Sequence, residues 1–111
     1  MPSKKVDVLS LEEEIRSRGY GVYILSKGNQ DSDFYADDYS LSFDKICVSP
    51  VANMVCFKNG SSYITIGNIK DIEITDYPYA YMCVITIVSV NNCNNTKNKY
   101  KILAKSPMKL Y

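Results

Sequence analysis

The chain has no histidine and no tryptophan among its 111 residues. Without an imidazole, a serine triad or a Cys-His pair cannot be assembled, which removes the commonest routes to nucleophilic catalysis. The four cysteines (Cys47, Cys56, Cys83 and Cys93) contain no C-x-x-C pair. Structural zinc wants Cys/His clusters at short spacing, so no metal site is expected. Glycine is scarce, and neither a G-x-x-x-x-G-K-[ST] loop nor a G-x-G-x-x-G turn is present. No cofactor is expected, and the chain reads as a non-enzyme.

Long apolar runs are missing too. The run Met82–Val88 falls far short of the roughly 20 residues that a membrane-spanning helix needs. Two early lysines, Lys4 and Lys5, are followed by acids rather than an apolar stretch, so no secretory leader is expected. These readings point to a reducing, cytoplasmic compartment, free thiols, no disulfide and no membrane partner. Cys47, Cys56 and Cys83 sit in strand-like apolar runs and read as small core residues.

Apolar residues make up 46% of the chain, enough for a core and too many for a disordered segment. One domain over residues 1–111 is the expectation. Charge is unevenly spread. Residues 1–40 hold eight acids and five bases, whereas residues 91–111 hold five lysines and no acid.

One helix is legible over about residues 10–18. Ser10 and Glu13 have the spacing of a capping box. Glu12, Glu13 and Glu14 then suit the positive end of the dipole, and Arg16 and Arg18 the negative end. Leu11 and Ile15 give it an apolar stripe, and Gly19 stops it. The stretch Ser17–Leu25, SRGYGVYIL, begins like the base-stacking strand of RNA-recognition modules. That likeness fails at Val22, where an aromatic should stand, and only one helix precedes it. Gly19 reads instead as a helix stop followed by a strand.

The rest alternates as strands do, from about residue 20 to 105. Ser40–Ser49 reads as one strand ending before Pro50. Asn59-Gly60 between two apolar runs signals a hairpin whose residues both accept positive φ. The segment Tyr79–Val90 is apolar on both faces, as a central or strongly curved strand is. The expected fold is mainly β (α+β): a short N-terminal helix, then about seven mostly antiparallel strands in a curled sheet, barrel or sandwich. For residues 40–105 the nearest familiar shape is a pleckstrin-homology-like roll, without that fold's usual closing helix.

Three candidate surfaces emerge. Tyr77, Tyr79 and Tyr81 flank Pro78, with Tyr79 and Tyr81 expected on one face of a strand; tyrosine offers large contact area at low entropic cost. The acidic loop Asp31–Tyr39 carries Phe34, Tyr35, Asp37 and Asp38; it lacks the glycine and glutamate of a calcium loop, so it reads as a solvated interaction surface. The alternating Lys97, Lys99 and Lys101, with Lys105, could follow a phosphate backbone. They also suit an edge strand guarded against sheet-to-sheet pairing, which is the preferred reading.

The functional expectation is a small interaction protein that binds and modulates another protein. Nine asparagines, ten tyrosines and many lysines and isoleucines suit an AT-rich genome. A phage or mobile-element inhibitor of a host defence nuclease is one version. The alternative is a nucleic-acid or anionic-ligand binder that uses the basic end.

Overall fold

The computed structural model describes residues 3–29, 40–91, 93 and 96–106. The order of elements is β1 (Ser3–Val6), α1 (Val8–Arg18), β2 (Val22–Asn29), β3 (Ser40–Phe43), β4 (Lys45–Ser49), β5 (Met54–Asn59), β6 (Ser62–Ile66), β7 (Ile69–Tyr77), a 3₁₀ turn (Pro78–Ala80), β8 (Met82–Asn91) and β9 (Thr96–Lys105). The fold is thus mainly β with one short helix, in antiparallel sheets.

The helix starts earlier than the capping-box spacing implies. Asp7 is the N-cap, and its carboxylate accepts the Ser10 amide at 2.8 Å. Val8 is buried and begins the apolar stripe that Leu11 and Ile15 continue, so core burial selects the earlier start. Glu12 and Glu14 therefore lie beyond the first turn and pair along the helix with Arg16 and Arg18. The stop is as expected: Gly19 takes the left-handed conformation at φ 70°, and its amide bonds Arg16 O.

Six strands form one sheet in the order β1-β7-β8-β9-β2-β3, and three form another in the order β4-β5-β6. Every pairing is antiparallel. The sheets do not close into a barrel, and the connectivity is not a simple meander: β2 inserts between β9 and β3, and the N-terminal β1 adds to β7. This departs from a roll confined to residues 40–105.

The segment Ser40–Ser49, expected as one strand, is two. It bends at Asp44 and passes from the large sheet to the small one. The Asp44 amide bonds Lys58 O at 3.0 Å and the Asn59 side chain bonds Ser42 O at 3.2 Å, which fixes the corner. Strands that switch sheets at such bends are the usual corners of packed sheets.

Between the layers lie Ile72 and Ile74 of β7, Cys83, Ile85 and Ile87 of β8, and Ile102 and Ala104 of β9. The helix contributes Val8, Leu11 and Ile15, and the small sheet Val55, Phe57 and Ile66. Phe57 packs against Tyr23 and Phe43 with ring centroids 5.8 and 6.1 Å apart. Of the three cysteines read as core residues, only Cys83 is buried. Cys47 is exposed and Cys56 half-buried, because strand alternation turns both to the outer face of the small sheet.

The β5–β6 hairpin is where the sequence placed it. Asn59 pairs with Ser62, so Gly60 and Ser61 are the two loop residues. Only Gly60 has positive φ, at 62°. Asn59 belongs to the ladder, so the turn follows the type II′ pattern with glycine first. A Cβ at Gly60 would meet nothing within 4 Å, so a side chain there costs only backbone strain. Gly60→Val should lower stability by about 1 kcal/mol or more, and Gly60→Asn by clearly less. Urea midpoints compare the three proteins. Equal midpoints for the valine and wild-type chains would refute the turn geometry.

Candidate functional site

The large sheet is covered on one side. There the helix docks through Lys4–Glu14 and Arg18–Asp76, and the small sheet packs at the β3–β4 corner. No described element packs across its other side. Antiparallel sheets commonly face water on one side, with polar residues there. Here the face opposite the helix is ordered in stripes. β7 contributes Asp71, Glu73, Thr75 and Tyr77. β8 contributes Met82, Val84, Thr86, Val88 and Val90. β9 contributes Lys97, Lys99, Lys101, Leu103 and Lys105, and β2 adds Val22 and Ile24.

The register makes two rows across this face largely apolar. Thr75, Val84, Leu103 and Ile24 lie side by side, and beside them Tyr77, Met82, Lys105 and Val22. An apolar patch is therefore flanked by acids on one strand and lysines on another. The sequence reading missed Val22, Ile24, Met82, Val84 and Leu103. The signal for Met82 and Val84 was the two-sided apolar character of β8, which a central strand explains for one face only.

At the end of this patch stand the tyrosines, of which Tyr77 is on a strand and Tyr79 and Tyr81 are not. Tyr79 lies in the 3₁₀ turn and Tyr81 is in the left-handed region at φ 54°, its amide donating to Pro78 O at 3.2 Å. The expectation that Tyr79 and Tyr81 share a strand face is thus corrected: Pro78 starts a helical turn, and β8 begins only at Met82. Tyr79 is 98% exposed and Tyr81 58%. Tyr77 sits on the sheet, opposite Met82. A left-handed non-glycine residue costs about 1–2 kcal/mol, so the turn retains Tyr81 against a local preference.

The lysines are correctly grouped but wrongly explained. β9 lies between β8 and β2, in the interior of the sheet, so edge protection is not their role. That role falls to β1, whose Lys4 and Lys5 mark a short outer strand. Among the described residues, no acid lies within salt-bridge distance of Lys97, Lys99, Lys101 or Lys105. Lys70, beside the bulge of β7, is held below the usual lysine range by the neighbouring Lys97 ammonium. Phe34, Tyr35, Asp37 and Asp38 lie outside the described residues.

Among the described residues, no three Cys, Asp or Glu side chains converge as a metal cluster would require. No described helix is long and apolar enough to cross a membrane. Burial pushes the Cys83 thiol up to about 11, which leaves it protonated and a poor nucleophile at neutral pH. Comparison with protein-family models, with curated proteins and with solved structures finds no match to this chain.

The face is held in place by one bidentate pair. Arg18 Nε and Nη2 donate to Asp76 Oδ1 and Oδ2 at 2.7 and 2.8 Å, while Nη1 donates to Glu14 Oε1 at 3.0 Å. This bolts the C-terminal turn of the helix to β7 one residue before Tyr77. Arg18 holds the Asp76 carboxyl below its ordinary 3.8. A depressed native pKa contributes stability in full above the unfolded value and loses it as pH falls through the native one. Asp76→Asn should therefore cost about 1–2 kcal/mol at neutral pH. The deficit should shrink once pH drops below 3.8. Urea titrations at neutral and acid pH read this directly; a deficit that stays constant on acidification would contradict the charge assignment.

Proposed function

We propose that this domain is a non-enzymatic binding module that docks another protein on the face of its large sheet opposite the helix, with Tyr79 and Tyr81 as anchors. The observation that carries the reading is Tyr79, 98% exposed on a short turn beside a half-buried apolar patch. Protein interfaces join an apolar centre to a polar rim and are enriched in tyrosine. The patch of Val84, Leu103, Ile24 and Met82 supplies the centre. Asp71 and Glu73 on one flank and the β9 lysines on the other supply a rim of both signs. Inhibition of a nuclease is one activity such docking could produce, and a reducing compartment suits the free thiols.

The second reading is a nucleic-acid binder. It is favoured by one observation, the column of lysines on β9 with no acid paired to them among the described residues. The acidic column on β7 weighs against it, because phosphates laid across the sheet would approach Asp71 and Glu73.

Affinity capture from a source lysate, with and without nuclease treatment, separates the readings. The protein-docking reading expects a captured protein that survives nuclease. Tyr79→Ala should cost on the order of 2 kcal/mol in binding. Tyr81→Gly should lose binding too while leaving stability within about 1 kcal/mol, since glycine accepts the turn's backbone. Replacing Lys97, Lys99 and Lys101 with glutamine should change little. If instead the chain binds random oligonucleotides tightly at physiological salt, and those lysine changes flatten the salt slope, the nucleic-acid reading takes its place.

A further inference from the structure

Cys47 and Cys56 are nine residues apart in sequence, yet the register of the small sheet places them directly opposite each other. Both turn to its outer face, away from the core. They line a concavity of about 370 Å³ together with Met54, Lys58, Tyr63 and Thr65. Two thiols and a thioether thus share one open, largely apolar hollow. Soft sulfur donors of this kind select monovalent copper and similar ions over hard cations.

The strand geometry says what the pair is spaced for. The two-residue loop makes Asn59 and Ser62 the closing hydrogen-bonded pair of the hairpin. Alternation along β5 then sends the backbone groups of Phe57 and Val55 to β6, and those of Lys58, Cys56 and Met54 to β4. Cys47 and Cys56 therefore form a hydrogen-bonded pair, whose Cβ atoms stand about 5.5 Å apart. A disulfide wants about 3.5–4.5 Å between them. The pair is too wide for an unstrained S–S bond. An ion held at metal–thiolate lengths of about 2.3 Å separates its two sulfurs by up to about 4.6 Å, which suits the wider spacing.

Charge supplies a second, independent argument. Lys45 and Lys58 face each other in the next row on the same surface. Like charges directly opposite are destabilising, and among the described residues neither lysine has an acid within salt-bridge distance. One monovalent ion on two thiolates carries a net charge of −1, and two ammonium groups one row away on the same surface complement that charge. Tetrahedral zinc fits less well, since it wants four N, O or S ligands and the chain has no histidine.

We infer that the outer face of the small sheet is a binding site for a soft monovalent metal ion, held by the Cys47 and Cys56 thiolates with Met54 as a weaker third donor. Binding releases one proton from each thiol to solvent and changes no oxidation state. The site is independent of the docking face on the large sheet.

The reduced, metal-free full chain should be titrated anaerobically with the Cu(I)–bicinchoninate complex. The wild type should remove one equivalent of copper from the chelator. Cys47→Ser and Cys56→Ser should each abolish that uptake, Met54→Leu should weaken it, and Cys93→Ser should leave it intact. Circular dichroism should show all four variants folded, as expected for changes outside the core. Failure of the wild type to take copper, or undiminished uptake by the Cys47→Ser/Cys56→Ser double variant, would overturn the assignment. So would rapid closure of a Cys47–Cys56 disulfide by diamide, because the pair would then be close enough for a redox couple.

Discussion

Everything in this domain depends on Phe57 meeting Tyr23 and Phe43. These rings come from β5, β2 and β3, and they seal the apolar layer between the two sheets. Burying one such side chain contributes about 1.5–3 kcal/mol. Its larger effect is topological. Neither sheet can be stable alone with one apolar face in water, so the contact makes the small sheet a cover for one part of the large sheet and leaves the helix to cover the rest.

The corner at Asp44 makes that contact possible. Phe43 points into the core from the large sheet, and one residue later the chain belongs to the small sheet. The bend is fixed by hydrogen bonds to Lys58 and from Asn59, the last residues before the hairpin turn. The same hairpin sets the register that places Cys47 opposite Cys56. The thiol pair and the aromatic contact are therefore consequences of one local geometry, expressed on opposite faces of β5.

The two faces of the large sheet divide stability from recognition. Its inner face is isoleucine-rich, and Ile72, Ile74, Ile85, Ile87 and Ile102 on it are buried, as a core requires. Its outer face retains valine, leucine and methionine where a water-facing antiparallel sheet would ordinarily carry polar residues. Arg18 links the two. By clamping Asp76 from the helix side, it restrains the end of β7 from which the tyrosine turn projects.

The sequence by itself determined the elements whose causes are local. Gly19 ends the helix and Gly60 opens a hairpin because each can take a left-handed backbone. The alternation of Tyr100, Ile102 and Ala104 with Lys101 and Leu103 makes a strand whatever lies beside it. Tertiary structure decided what depends on distant partners. Val8 extends the helix because a core exists to receive it. β9 is central, and not an edge, because β2 returns to pair with it from about eighty residues away in sequence. Tyr79 and Tyr81 leave the strand because the β7–β8 turn begins at Pro78. Cys47 and Cys56 face outward together because sheet register, which no spacing rule encodes, is set by which faces must be buried.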